Sequence, residues 1–291
     1  MKEILIVSGK GGAGKTTIAS SLALFLEEND VLVDADVDAS DLPILLGTKT
    51  LEESIFLAGV IPVINYDKCS NCGLCESYCK FNAIIKDNKN NKYFIDEINC
   101  EGCALCSYIC PENAVTLIKR ETGKKFISQT NLNVKMCHGE LNIGAENSGK
   151  LVASVKQDGR VLAKKQKASI IIIDGPPGIG CPVIAAMSGV DLAVIVIEPT
   201  LSGIHDAKRI IKLAKQFNIN TSAVINKYGL NKENEVVLFE HLLKEDIKVL
   251  GCLNYSEDII KAQIEMVLLP EYNHYFYNTV KNIYSNMVNN L

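Results

Sequence analysis

The chain contains few prolines, no long apolar run and no secretory leader pattern. Its eight prolines among 291 residues, with 47% apolar content, predict well-packed cores and argue against a long disordered linker. No apolar segment approaches the roughly 20 residues that a helix needs to cross a bilayer. Because Met1–Ile4 also lack the charged-then-apolar start of a signal peptide, we expect a cytoplasmic protein.

The chain also lacks an excess of basic residues. Its formal net charge is −4, which argues against long-range attraction to nucleic acid or to an anionic lipid surface. The C-terminal stretch 275–291 lacks the lysine-rich face of a helix that lies on a membrane, and it is predicted to be a packed helix instead. We therefore expect no nucleic-acid partner and no membrane partner.

Cysteine, by contrast, is abundant, with eleven residues. Eight of them form two C-x-x-C-x-x-C-x-x-x-C runs: Cys69, Cys72, Cys75 and Cys79, then Cys100, Cys103, Cys106 and Cys110. In the bacterial dicluster arrangement the fourth cysteine of each run ligates the other cluster. The spacing therefore predicts two 4Fe-4S clusters, one held by Cys69, Cys72, Cys75 and Cys110 and the other by Cys100, Cys103, Cys106 and Cys79.

Zinc sites and disulfides are the alternative interpretations of these cysteines. Zinc sites usually combine separated C-x-x-C pairs rather than three evenly spaced cysteines plus a fourth, and disulfides need an oxidising compartment. The second run ends in Cys110-Pro111, as the bacterial pattern does, whereas the first run ends in Cys79-Lys80. This departure leaves the ligands intact but leaves the surroundings and the reduction potential of the first cluster open.

The N-terminus carries a second motif. Ile4–Val7 has the length and composition of a buried parallel strand, and the glycine-rich segment Ser8–Thr17 separates it from an apolar-periodic stretch, Ile18–Leu26. Strand, glycine loop and helix in this order predict a P-loop that binds the phosphates of ATP or ADP. Lys15 is expected to reach the outer phosphates, and the Thr16 hydroxyl to ligate Mg²⁺. The predicted nucleotide-binding residues are Gly11, Gly12, Ala13, Gly14, Lys15, Thr16 and Thr17.

The loop motif K-G-G-x-G-K-T-T, which begins at Lys10, resembles the deviant Walker A motif of the MinD/ParA superfamily. This superfamily includes the nitrogenase iron protein and the Mrp/ApbC iron-sulfur carriers. In the family the early lysine reaches across a dimer interface to the nucleotide of the partner subunit. The resemblance implies a homodimer that forms on ATP binding, with Lys10 and Lys15 as catalytic residues. The alternative is that Lys10 is an ordinary solvated loop charge.

Two acidic segments extend the resemblance. Val31–Asp36 is similar to the first switch of the family, which implies that Asp36 positions the attacking water, while Asp34 and Asp38 are expected to serve the magnesium shell or the loop itself. Ile170–Ile173 is a β-branched run that leads into Asp174 and a Gly/Pro-rich segment, the Walker B arrangement. The resemblance implies that Asp174 holds Mg²⁺, directly or through water.

Asn226 follows a strand pattern and resembles the adenine-contacting asparagine of the family. An asparagine at such a position is also a common turn residue, and this is the alternative interpretation.

Strand patterns alternate with helical patterns through the second half of the chain, which predicts parallel strands joined by crossover helices. Ligands bind such sheets at the carboxyl ends of the strands. The expected fold class is α/β, a P-loop NTPase with a mostly parallel sheet and flanking helices, plus an inserted α+β dicluster ferredoxin domain. The expected boundaries are 1–60 and 119–291 for the ATPase domain and 61–118 for the insertion, with 119–168 returning to the sheet as a β-ribbon.

Three cysteines lie outside the two runs. Cys181 follows Asp174 by seven residues, and in the nitrogenase iron protein a cysteine at that distance ligates a cluster shared across the dimer. The resemblance makes Cys181, with Cys137 as its candidate partner, a candidate extra metal or redox site. The alternative is that both are small buried residues, as free cysteines commonly are. Cys252 lies in an apolar strand pattern and has no expected role.

Functions of different classes fit these motifs. In the first, a slow, partner-stimulated ATPase closes and opens a dimer and couples ATP turnover to electron transfer through the clusters to a redox partner protein. In the second, the chain is an iron-sulfur carrier or maturation ATPase, like Mrp/ApbC, that supplies an apo-iron-sulfur protein. A third is a redox-sensing regulatory ATPase. Complete four-thiolate ligation favours the first, because it holds clusters firmly.

Overall fold

The computed structural model describes residues 1–145 and 147–291. The chain divides into two compact units. The first comprises Met1–Ser54, Lys124–Leu141 and Ser148–Leu291, and the second comprises Ile55–Gly123 and Asn142–Asn147. The second unit contains the whole of the segment 61–118 that the sequence assigns to an insertion.

Strands and helices alternate along much of the chain. In chain order the strands are β1 (Lys2–Ser8), β2 (Val31–Asp34), β3 (Lys49–Ile64), β4 (Ile84–Asp87), β5 (Lys92–Ile95), β6 (Val115–Gln129), β7 (Lys135–Leu141), β8 (Ile170–Pro177), β9 (Leu192–Ile197), β10 (Asn220–Tyr228) and β11 (Lys248–Asn254). The helices are α1 (Lys15–Ala23), α2 (Leu42–Leu45), α3 (Leu74–Tyr78), α4 (Leu105–Tyr108), α5 (Ser148–Gln166), α6 (Cys181–Met187), α7 (Leu201–Gln216), α8 (Lys232–Lys244), α9 (Glu257–Ile264), α10 (Leu269–Tyr272) and α11 (His274–Val288).

Seven neighbouring strands of the large sheet run parallel, in the order β11, β10, β9, β1, β8, β2, β7, and the sheet continues through β6 to β3. This arrangement confirms the predicted α/β class with a mostly parallel sheet and flanking helices. In the register of β2 against β8, Asp34 lies opposite Asp174. The carboxyl ends of these strands therefore bring two acids to the same edge of the sheet, beside the loop that follows β1.

The central strands of this sheet are buried on both faces. Ile4–Val7 and Leu192–Ile197 are at most 1% exposed, as expected for parallel strands that helices cover on both sides. Burial of each large apolar side chain contributes about 1.5–3 kcal/mol. The C-terminal helix α11 adds Phe276, Val280 and Met287 to the same core, which confirms the packed helix predicted there. Among residues 1–145 and 147–291, no helix combines the length and apolar character needed to cross a bilayer.

The expectation of a β-ribbon over 119–168 is correct only in its first half. β6 and β7 are extended, but Ser148–Gln166 forms the 19-residue helix α5. The buried positions Leu151, Val155 and Leu162 recur at helical spacing and form its inner face. The lysines and glycines of this segment suggest irregular structure, but Lys156 and Gly159 lie on the buried face of the helix, where they interrupt the apolar period.

The second unit contains two short helices and a two-stranded sheet. α3 and α4 each follow a residue in the left-handed conformation, Gly73 with φ 78° and Ala104 with φ 65°, and β4 pairs antiparallel with β5. Its apolar cluster has four buried members, Ile64, Ile84, Tyr93 and Val115. Five cysteines pack against this cluster: Cys69, Cys75, Cys79, Cys106 and Cys110. The core of the second unit therefore contains few apolar side chains, and cysteines pack around them.

Candidate functional site

The glycine loop between β1 and α1 lines a cavity of about 700 Å³, a volume within the range of small-molecule sites. Gly12 and Gly14 have φ angles of 74° and 92°, and a Cβ atom on Gly14 would collide with the side chain of Asn226, so glycine is required at that position. The predicted loop residues on the cavity wall are Gly11, Gly12, Gly14, Lys15, Thr16 and Thr17. Ala13 is buried. Because α1 begins at Lys15, its positive end adjoins the loop.

Asn226 stabilises the loop directly. Its Nδ2 donates a hydrogen bond to the carbonyl oxygen of Ala13 (2.9 Å), and its Oδ1 accepts one from the backbone N–H of Lys227 (2.9 Å). The structure therefore places Asn226 at the cavity as a brace for the loop. Its contact with adenine stays a prediction.

The side chains of Lys15 and Asp36 lie close together on the wall of the cavity. The Nζ of Lys15 lies 4.0 Å from Oδ2 of Asp36, and Lys15 is buried. Burial raises the pKa of Asp36, and the nearby Lys15 ammonium partly offsets that rise. A carboxylate held beside a buried ammonium can orient a water molecule by accepting its proton in a hydrogen bond, which suits the role expected of Asp36.

Asp174 is a buried acid without a hydrogen-bond partner. Both of its carboxylate oxygens are fully buried and unpaired among the residues that the structure describes. Burial raises its pKa to about 7, although the hydroxyl of Thr16 and the ammonium of Lys15 lower it. Thr16 is thus close enough to influence Asp174 without forming a hydrogen bond of good geometry. An unpaired buried carboxylate next to a hydroxyl is a donor set that suits Mg²⁺.

Asp34 has the opposite environment, because its carboxylate is satisfied by the chain. It accepts hydrogen bonds from the backbone N–H of Asp36 (3.0 Å) and from Oγ of Ser40 (2.8 Å). Burial and the neighbouring Asp174 nevertheless raise its pKa. Of the two roles expected for Asp34, these contacts favour shaping the loop, while Asp38 lines the cavity.

Lys10 is engaged by residues of its own chain. Its Nζ lies 3.4 Å from Oε2 of Glu198 and 3.2 Å from Oγ of Ser202. Lys227 contacts the same Glu198 oxygen at 3.0 Å and donates to the carbonyl oxygen of Gly12 at 3.2 Å. Glu198 therefore links the two lysines to the glycine loop, and both ammonium groups lower its pKa against the effect of burial.

Sequence reasoning assigned no role to two residues of this site, although it placed the segment that begins at Glu198 near the nucleotide. Glu198 stands directly after β9, and an acid at the carboxyl end of a buried strand is a signal that could have identified it. Gln263 on α9 donates from Nε2 to Oγ1 of Thr17 at 3.0 Å. No local pattern marks Gln263, because α9 begins at Glu257, far along the chain from Lys15, where α1 begins, and only the fold brings the two helices together.

The eight cysteines of the two runs line two cavities of the second unit. One cavity is bordered by Cys69, Cys72, Cys75 and Cys110, and the other by Cys79, Cys100, Cys103, Cys106 and again Cys75. None of the eleven cysteines forms a disulfide. Among the described residues, no three Cys, His, Asp or Glu side chains converge as ligands of a single metal ion. In a 4Fe-4S cubane each thiolate binds a different iron, so its ligands surround a cavity instead of a point.

Cys137 and Cys181 have different environments. Cys137 is buried in β7, and burial raises the pKa of its thiol to about 12, so it resembles a structural cysteine. Cys181 is exposed at the first residue of α6. Because a buried thiol cannot reach across a subunit interface, the burial of Cys137 argues against the pair. A role for Cys181 stays a prediction.

A glycine loop that joins β1 to α1, with the buried Asp174 on the neighbouring strand β8, defines a P-loop nucleotide-binding protein. Residues 4–269 match the family model described as the CobQ/CobB/MinD/ParA nucleotide binding domain. The chain belongs to this family of P-loop ATPases, and its fold is that of a P-loop NTPase.

Relatives and solved structures agree with this assignment. The chain is 37% identical over 287 residues to the uncharacterized protein MJ0578 of Methanocaldococcus jannaschii, covering 98% of this chain and 96% of that protein. It is 26% identical to the septum site-determining protein MinD of Bacillus subtilis, covering 89% and 78%. Its fold is similar to that of MinD from Pyrococcus horikoshii complexed with Mg-ADP, with a TM-score of 0.59, 17% identity and coverage of 98% and 95%.

Proposed function

We propose that this protein is an ATP-hydrolysing iron-sulfur protein that acts as a homodimer and couples ATP turnover to electron transfer through two 4Fe-4S clusters. The observation that carries the proposal is the pairing of cysteines in the second unit. The spacing predicts that Cys110 joins the first run and Cys79 the second, and the two cavities are lined in this exchanged pairing. Zinc or disulfide sites would give no reason for the exchange.

The packing of the second unit gives independent support. A unit of this size seldom gains more than about 3–5 kcal/mol from an apolar core alone, and natural domains of such size often add a structural metal. Here half-buried thiols occupy the positions around the four buried apolar side chains. When bound, two 4Fe-4S clusters would supply one-electron transfer and would cross-link both runs.

The residues of the nucleotide site have different roles in the proposed function. The loop amides, with the positive end of α1, bind phosphate oxygens, and Lys15 neutralises charge on the outer phosphates. Thr16 and Asp174 would hold Mg²⁺, and Asp36 would orient the attacking water. The Mg-ADP complex of the Pyrococcus horikoshii MinD supports the assignment of nucleotide and magnesium.

A maturation function is the second candidate, and the exposure of Cys181 favours it. An exposed thiol directly after the Gly/Pro-rich segment that follows Asp174 could bind iron more loosely than a complete quartet does. This function predicts that iron moves to an apo-protein acceptor during hydrolysis. Electron transfer predicts that iron stays with the chain while the oxidation state of the clusters changes.

The first experiment tests whether the clusters exist. Anaerobic reconstitution of the full chain is expected to give about eight iron and eight sulfide ions per chain, the content of two cubanes. Cys103→Ala should lose about half of the iron, because it removes one ligand of one cluster. Cys252→Ala is the matched control and should retain the full content. A colourless, iron-free product from the unsubstituted chain would disprove the assignment.

The second experiment tests the coupling. ATP hydrolysis is measured on the same preparation with clusters oxidised, reduced and removed, and the proposal expects the rates to differ among the three states. Equal rates would leave an ATPase that happens to carry clusters. Transfer of iron to an apo-ferredoxin only in the presence of hydrolysable ATP would favour the maturation function instead.

A further inference from the structure

Arginine is scarce in this lysine-rich chain, which contains three arginines, Arg120, Arg160 and Arg209. Arg160 forms a bidentate ion pair with Glu3, and Arg209 lies near Asp206 on the surface of α7. Arg120 differs from both. Among the residues that the structure describes, no carboxylate lies within ion-pair distance of its guanidinium.

The guanidinium of Arg120 instead binds the loop that begins the second cysteine run. Its Nη1 donates to the carbonyl oxygen of Cys100 at 3.3 Å, and its Nη2 donates to that of Glu97 at 3.0 Å. The side chain is half-buried. A planar guanidinium can bridge two carbonyl groups in this way because its donors diverge in a fixed plane, whereas a lysine ammonium is a single point charge.

We infer that Arg120 is a positioning residue that anchors the Cys100 loop and raises the reduction potential of the cluster held by Cys100, Cys103, Cys106 and Cys79 above that of its neighbour. The inference rests on the iron-sulfur assignment made above. Reduction adds a negative charge to a cluster, and a nearby positive charge that solvent screens only partly stabilises the reduced form. The electron that enters the pair is therefore held preferentially on the cluster beside Arg120.

Among the described residues that line the cavity of the first quartet, none is an arginine or a lysine. No arginine occurs between residues 55 and 119, and the nearby ammonium groups of Lys86 and Lys92 lie over the rings of Tyr93 and Tyr66 at 5.8 and 4.9 Å. Both lysines are exposed, so water and salt screen their charges. The guanidinium of Arg120, in contrast, is half-buried and donates a hydrogen bond to the backbone carbonyl of Cys100, a predicted cluster ligand.

A small polar cavity surrounds this contact. Arg120 and Cys100 line it together with Glu101 and Thr122. Glu101 is exposed and is the acidic group on this wall, so it should oppose the effect of Arg120 to a smaller extent. Substitutions of Arg120 and of Glu101 should therefore shift the reduction potential of this cluster in opposite directions.

The test is a redox titration of the anaerobically reconstituted full chain, followed by electron paramagnetic resonance. Two titration waves are expected, one for each cluster, and Arg120→Gln should lower the midpoint potential of one of them. At a fixed potential the reduced-to-oxidised ratio of that cluster should fall about tenfold, which is equivalent to about 59 mV for one electron. Arg120→Lys keeps the charge and should shift that wave by less than about threefold. Lys119→Gln removes a charge from the neighbouring, exposed position and should shift neither wave.

Iron content separates the outcomes. If the unsubstituted chain binds no iron, the proposed function fails. If iron content is equal in all variants and Arg120→Gln shifts neither wave, the inference about Arg120 is overturned while the proposed function stands. If Arg120→Gln loses iron, Glu101→Gln decides: an upward shift of the same wave supports the electrostatic role, and an unchanged wave overturns it.

Discussion

Asp174→Asn is expected to make the nucleotide-free protein more stable and to lower Mg²⁺-dependent ATP hydrolysis by about two orders of magnitude. The gain arises because the buried, unpaired carboxylate is costly to the empty protein, as its raised pKa of about 7 indicates. Each pKa unit corresponds to about 1.4 kcal/mol, and since an amide also needs partners, we expect a gain of about 1–3 kcal/mol. The loss arises because a neutral amide cannot anchor the cation that stabilises the transferring phosphoryl group.

Chemical denaturation without nucleotide and steady-state hydrolysis with Mg²⁺ measure the two effects on the same protein. Asp67→Asn, at an exposed position of the second unit, is the matched control and should change neither. A less stable Asp174→Asn protein, or one that hydrolyses ATP at the rate of the unsubstituted chain, would contradict the role given to this carboxylate.

Lys10→Ala is expected to abolish ATP-dependent dimerisation and to leave nucleotide binding by the monomer nearly unchanged. The side chain of Lys10 contacts Glu198 and Ser202 of its own chain, so its loss removes nothing from the wall of the nucleotide cavity. The family resemblance implies that this lysine reaches the nucleotide of the partner subunit, and this role stays a prediction. Sedimentation velocity with a non-hydrolysable ATP analogue measures the dimer, and a fluorescent nucleotide titration measures binding.

Glu198→Gln provides the complementary variant. If Lys10 must leave Glu198 to enter the dimer, weakening this ion pair should tighten dimerisation by up to about fivefold, corresponding to about 1 kcal/mol for a partly exposed pair. A dimer of unchanged sedimentation in Lys10→Ala would show that the lysine has no part in assembly. An unchanged dimer in Glu198→Gln would show only that the pair is not limiting.

The parts of this protein that sequence could predict are those that local patterns encode. The strand, glycine loop and helix that end at Ala23 are contiguous, so their spacing alone defines them. The acids Asp36 and Asp174 are predicted because the segments that contain them resemble the first switch and the Walker B motif of the family. The spacing of the runs predicts the exchanged pairing of Cys79 and Cys110, and this pairing stays a prediction.

The features that the sequence could not predict depend on contacts between segments that are far apart in the chain. The sequence places the segment that begins at Glu198 near the nucleotide, but the ion pairs of Glu198 with Lys10 and Lys227 depend on the tertiary fold. The contact of Gln263 with Thr17 depends on it as well. The contact of Asn226 with adenine stays a prediction, and the hydrogen bond of its amide group to Ala13 is one that no sequence pattern indicates. The sequence does not predict the helix α5, because Lys156 and Gly159 lie on its buried face and interrupt the apolar period.

The order of strands also has a consequence for synthesis on the ribosome. β1 is made first, but its two neighbours in the sheet, β8 and β9, begin at Ile170 and Leu192. The segments of the second unit, which end at Asn147, therefore emerge before β1 can pair with either neighbour. Domains generally fold as units while translation proceeds. The second unit can therefore fold on the nascent chain before β1 of the first unit has a neighbouring strand with which to pair.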